Sequence, residues 1–117
     1  MKKFEKNTFS QDLKHGLIGS FVDGTSLRND QNVEISFSKL ESGFNASPHI
    51  HTQSKTLVIV LTGGMTFSID GEIVEVDGGE YIIFDKGSVE QVVSVKPHTQ
   101  NLTLHTPSIL GGDKKEL

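Results

Sequence analysis

The feature that most constrains this chain is its turn punctuation. Gly63-Gly64, Asp70-Gly71, Asp77-Gly78-Gly79 and Asp85-Lys86-Gly87 each signal a turn. The intervals between them hold short runs suited to strands: Met65–Ile69, Glu72–Val76 and Tyr81–Phe84. Asp-Gly is the pair a type I′ hairpin favours, because both central residues need φ > 0. The series extends in both directions. Leu57–Leu61 is apolar on both faces, and Val89–Val95 and Asn101–Thr106 follow the turns. Val33, Ile35 and Phe37 alternate with Glu34, Ser36 and Ser38, the pattern of a half-buried strand. Gly16–Val22 reads as a first strand, and Phe9–Leu17 is the one segment suited to a short helix. Short strands at intervals of about eight to twelve residues predict an all-β fold, an antiparallel sandwich or barrel.

A chain of 117 residues predicts one domain, 1–117, with segments 1–15 and 107–117 peripheral to it. The net charge of −4, with basic pairs only at Lys2–Lys3 and Lys114–Lys115, argues against nucleic-acid binding. No apolar run approaches the roughly 20 residues that span a bilayer, so no membrane partner is expected. The N-terminal MKKFEKNTF lacks the apolar core of a signal peptide, which makes a cytoplasmic protein the expectation. Cysteine is absent, which removes disulfides and thiolate chemistry. Neither a G-x-S-x-G elbow nor a phosphate-binding glycine loop occurs.

Chemistry concentrates just ahead of Leu57–Leu61. His49 and His51 are two residues apart, so on an extended strand both imidazoles point to one side. Two such imidazoles supply two-thirds of a facial metal site. The surrounding spacing carries a family resemblance. Gly43, five residues, His49-Ile50-His51, four residues, Thr56, six residues and Gly63 follow the pattern G-x5-H-x-H-x3–4-E-x6-G, with threonine in the glutamate position. Gly79, five residues, Asp85-Lys86-Gly87, two residues, Glu90, three residues and Ser94 follow the frame of G-x5-P-x-G-x2-H-x3-N, with its proline, histidine and asparagine replaced. On these residues the chain resembles the cupins, small antiparallel jelly-roll β-barrels.

That resemblance implies a divalent metal (Fe, Mn, Ni or Zn) held by His49 and His51, with Glu90 in the position of the histidine ligand of the second motif. Gln53 is a possible neutral fourth ligand if the strand of the histidines runs that far. Thr56 reads as an ordinary strand threonine. Two readings of Glu90 stay open. Val89, Gln91, Val93 and Val95 share one face of an ideal strand and Glu90, Val92 and Ser94 the other. Apolarity alone turns Glu90 to water, whereas the resemblance turns it inward. An inward carboxylate without a partner costs several kcal/mol or is forced neutral. His105 is a candidate acid–base group if Leu102 and Leu104 face a packing layer. A structural role is the commoner one for such a histidine. His15 and His98 read as solvated and Tyr81 as core or rim.

Two functions follow. One is a metal-dependent oxygenase, isomerase or lyase acting on a small organic ligand. The other is a non-catalytic small-molecule binding or sensing module with a degenerate, metal-free site. The expected pocket lining is His49, His51, Val58, Val60, Phe67 and Glu90. Leu57, Ile59 and Leu61 then face outward and need cover from the N-terminal segment or a second subunit. The resemblance implies a homodimer paired through that strip.

Overall fold

The computed structural model describes residues 3–10 and 12–117. Lys2 of the N-terminal basic pair and Gln11 of the expected helix lie outside the described residues. Among the described residues ten strands form two five-stranded sheets. The first has the order β1 (Lys14–Ile18), β2 (Glu34–Leu40), β9 (Thr99–Thr106), β4 (Lys55–Thr62), β7 (Tyr81–Phe84). The second has the order β10 (Lys114–Glu116), β3 (His49–His51), β8 (Glu90–Val95), β5 (Gly64–Ile69), β6 (Glu72–Asp77). All pairings between these strands are antiparallel. Among the described residues the two hydrogen-bonded ladders stay separate and do not close on one another. No helix long and apolar enough to cross a membrane occurs among them.

The sheets share one core. Val58, Val60 and Phe84 come from the first and Met65, Phe67, Val76 and Val95 from the second. The period-2 alternation of β4 produces this arrangement: Thr56, Val58 and Val60 are buried, while Leu57 and Ile59 are half-buried on the other face. Burying each of these large side chains contributes about 1.5–3 kcal/mol. The β5–β6 hairpin turns on Asp70 (φ 50°) and Gly71 (φ 86°), both in the left-handed region the Asp-Gly pair predicts. Gly63 has φ 75°, and a Cβ there would lie 2.7 Å from the Thr99 backbone. The motif glycine therefore lets β4 and β9 approach at the start of the hairpin.

Three expectations need correction. Among the described residues of Phe9–Leu17 there is no helix; Lys14–Ile18 instead pairs with β2 as the first strand, which also begins earlier than Gly16 and ends before Val22. The 107–117 segment lies at the edge of the second sheet, where Lys114–Glu116 pairs with β3. Val60 is fully buried in the core and does not line the pocket. The face assignment of β8 fails beyond Val92. Phe67 pairs with Val92 and Thr66 with Ser94, so Val93 is an extra residue in a bulge. The bulge resets the alternation. Val95 enters the core while Val89 and Val93 stay 38% and 40% exposed, and Glu90 and Val92 both line the cavity.

Candidate metal centre

Two cross-strand pairs, one in each sheet, build the site. In the second sheet His49 lies directly opposite Glu90, so the pairing of β3 with β8 itself brings imidazole and carboxylate together. In the first sheet Thr56 lies opposite His105. His51 joins the two sheets: its ring centroid is 4.5 Å from that of His105 and 5.3 Å from that of His49. All five side chains line one cavity of about 660 Å³.

His49 Nε2 is 2.7 Å from Glu90 Oε1, and His51 Nε2 is 3.9 Å from the same oxygen. His49 Nδ1 lies 3.1 Å from the Ser47 carbonyl, which can only accept, so Nδ1 donates and Nε2 keeps its lone pair. Burial pushes the Glu90 carboxyl up to about 8, against the lowering influence of Lys114, and Asp113 adds to the rise. Burial also lowers His49. At neutral pH the pair is therefore a protonated carboxyl donating to a neutral imidazole. A proton lies between two groups that can each ligate a cation.

Asp113 completes the geometry of His51. Its Oδ1 accepts from His51 Nδ1 at 2.8 Å, and its Oδ2 accepts from the backbone N–H groups of Gln53 and Ser54 at 2.8 and 2.7 Å. Burial raises this carboxyl, but the bonds from His51, Gln53 and Ser54 outweigh it and bring it down to about 2. An ionised acceptor on Nδ1 fixes the tautomer that leaves Nε2 unprotonated, the usual arrangement for a metal-ligating histidine. Thr56 Oγ1 is 2.9 Å from His105 Nδ1. Burial, reinforced by His51, lowers His105 to about 4, so it is neutral at pH 7.

The structure thus brings together His49, His51 and Glu90, whose ligand atoms all lie within 4.8 Å of one another. Donors about 2.1 Å from one ion are about 3.0–3.4 Å apart, and the 2.7 and 3.9 Å separations to Glu90 bracket that range. Two neutral imidazoles and one carboxylate suit a divalent transition metal. Glu90 faces inward, which decides the question left open by sequence. Gln53 is not brought in. The strand ends at His51, and the Gln53 side chain is exposed and does not line the cavity. His105 faces the cavity and His98 is exposed, while His15 is half-buried with its Nδ1 accepting from the Ser10 N–H at 3.1 Å. Tyr81 is 66% exposed on an edge strand. Sequence reading missed Asp113. Gly111-Gly112-Asp113 lies in a segment without periodicity, and only strand addition onto β3 gives it a role.

The fold and this cluster define a small jelly-roll protein with a histidine-rich cavity. A family model described as "Cupin domain" matches residues 36–99, more than half the chain, and the chain belongs to the cupin family. A cupin protein from Bacteroides fragilis is similar in structure, with a TM-score of 0.72, 24% identity, and coverage of 92% of this chain and 86% of that one. A Streptomyces PAC13 variant solved with uridine has a TM-score of 0.66 at 14% identity, covering 97% of this chain and 92% of that one. The DMSP lyase DddQ from Ruegeria pomeroyi has a TM-score of 0.59 at 14% identity, covering 66% of this chain and 39% of that one. At these identities the likeness is one of fold. No curated protein sequence matches significantly.

Proposed function

We propose that this cupin is a metal-dependent enzyme acting on a small organic ligand, with isomerase or lyase chemistry. The observation that carries the reading is the convergence of His49, His51 and Glu90 at a cavity of about 660 Å³, well within the size range of small-molecule sites. These three residues would hold the ion, and a bound divalent ion supplies Lewis acidity to a ligand oxygen. His105 stands ready for proton movement. Thr56 holds its Nδ1, which leaves Nε2 to take a proton from the ligand in one tautomer and give one in the other. Asp113 keeps His51 in the ligating tautomer. The similarity in fold to a DMSP lyase is compatible with this class of reaction.

A second reading has its own observation. Thr56 stands where the family motif has glutamate, and it bonds to His105 rather than presenting a carboxylate. That favours a non-catalytic binding module, and the structurally similar Streptomyces PAC13 was solved with uridine. Elemental analysis of protein purified without a histidine tag separates the two. Stoichiometric Fe, Mn, Ni or Zn, with added metal raising the melting temperature, supports the enzyme. The metal reading falls if His49→Ala combined with His51→Ala leaves that thermal response unchanged.

A further inference from the structure

A second cavity, of about 440 Å³, lies on the other face of the first sheet. The alternation of β1 separates the two cavities: Lys14 lines the first and His15 the second. On β2, Ser36 and Ser38 line the first, while Phe37 between them carries the stacked ring of Phe9. Asn7, Thr8 and Phe9 form one wall of the second cavity, and His15, Leu17 and Arg28 the rest. No carboxylate of the described residues lines it. Arg28 is half-buried. Its Nε donates to the Leu17 carbonyl and its Nη2 to the Gly16 carbonyl, both at 2.7 Å, beside the bulge of β1. One edge of the guanidinium is thereby fixed, and the Nη1–Nη2 end keeps donors to spare. Among the described residues Arg28 makes no ion pair. Glu5 senses its charge but accepts instead from Ser26 Oγ and the Leu27 N–H. His15 Nδ1 accepts from the Ser10 N–H at 3.1 Å, so the ring proton sits on Nε2, a second donor.

We propose that this second cavity binds a small organic oxyanion, with its charged head on Arg28 and His15 and its apolar body against Phe9 and Leu17. A half-buried cation without a counterion leaves its charge uncompensated. The planar end of a guanidinium matches two oxygens of a carboxylate or phosphate. Two backbone carbonyls already orient the fork, so little side-chain freedom is lost when an anion binds. A ligand cation is repelled by Arg28, and a neutral alcohol leaves the charge unpaired. The volume falls within the range of small-molecule sites. The site is separate from the metal centre and needs no metal.

Calorimetric titration with benzoate and phenyl phosphate tests the proposal. Benzyl alcohol supplies the ring without the charge, and inorganic phosphate the charge without the ring. At least one aryl anion should bind about tenfold or more tighter than both controls. In nitrogen–proton NMR spectra the same anion should shift the signals of Thr8, Phe9 and His15. Shifts confined to His51, His105 and Lys114 would place the anion in the first cavity and overturn the proposal. Arg28→Gln should weaken anion binding about tenfold or more. Thr8→Asp lies outside any strand, so it should keep the melting temperature while its carboxylate repels the anion. It decides alone if Arg28→Gln does not fold. Equal binding of either control, no binding by either aryl anion, or full affinity in either folded variant would overturn the proposal.

Discussion

Asp113, from a segment without any periodic pattern, holds the Nδ1 of His51 at 2.8 Å and through its second oxygen ties down the backbone of Gln53 and Ser54. Three donors therefore depend on one carboxylate. Asp113→Asn offers a single acceptor and an unwanted donor. It should weaken Co²⁺ or Zn²⁺ binding about 10–100-fold and lower stability by about 1–3 kcal/mol. Calorimetric titration and urea melts measure the two effects. A stability loss with intact metal affinity would reduce Asp113 to a loop anchor.

Glu90 must lose its proton to ligate a metal. Its carboxyl is held up to about 8, so a divalent ion competes with that proton below pH 8. Apparent metal affinity should rise by about tenfold per pH unit from neutrality toward 8 and flatten above it. Glu90→Gln should bind more weakly and lose this slope. An unchanged slope in the variant would place the coupled proton elsewhere.

The same carboxyl makes the metal-free fold sensitive to alkali. Between its unfolded value of 4.5 and its folded value of about 8 the native state holds the extra proton, so stability falls as pH rises through that window. His105, lowered to about 4, acts oppositely between 6.5 and 4 and adds nothing above 6.5. Denaturant melts of metal-free protein should therefore lose stability from pH 6.5 to 8, at a slope of at most about 1.4 kcal/mol per unit. Glu90→Gln should be flat over that range. A parallel decline in the variant would show that Glu90 is not the cause.

The outer face of the first sheet remains partly open. Leu57 pairs with Ile83 and Ile59 with Tyr81 in the β4–β7 ladder, and Leu61, Tyr81 and Ile83 are 44%, 66% and 56% exposed. Among the described residues, the N-terminal segment covers only part of the face. Phe9 stacks on Phe37 at 4.5 Å, but Phe4 is 78% exposed. We expect a two-fold dimer through this strip. Light scattering at micromolar concentration should give twice the chain mass, and Ile83→Glu should halve it. A monomeric mass for the unaltered protein would end the idea.

The middle of the chain was legible as sequence because its signals are local. The Asp70-Gly71 turn, the inward series Thr56, Val58 and Val60, and the placement of His49 and His51 on one side each depend on backbone geometry within a few residues. The spacing from Gly43 to Gly63 carried the resemblance to the cupins, and both histidines of that motif line the cavity.

What the tertiary structure alone decided involves residues far apart in the chain or a break in periodicity. Glu90 turns inward because β8 pairs beside β3, and a bulge at Val93 then returns Val95 to the core; a strict alternation cannot express that change. Gln53 drops out because strand pairing stops at His51. Asp113 joins the site through β10, which adds to β3 some sixty residues away in sequence. His105 meets Thr56 only across the β4–β9 ladder. The sequence by itself determined an all-β chain with two histidines on one face. The packing of two sheets determined which carboxylates reach them, because a side chain's partner across a sheet is set by register, and register is a property of the whole fold.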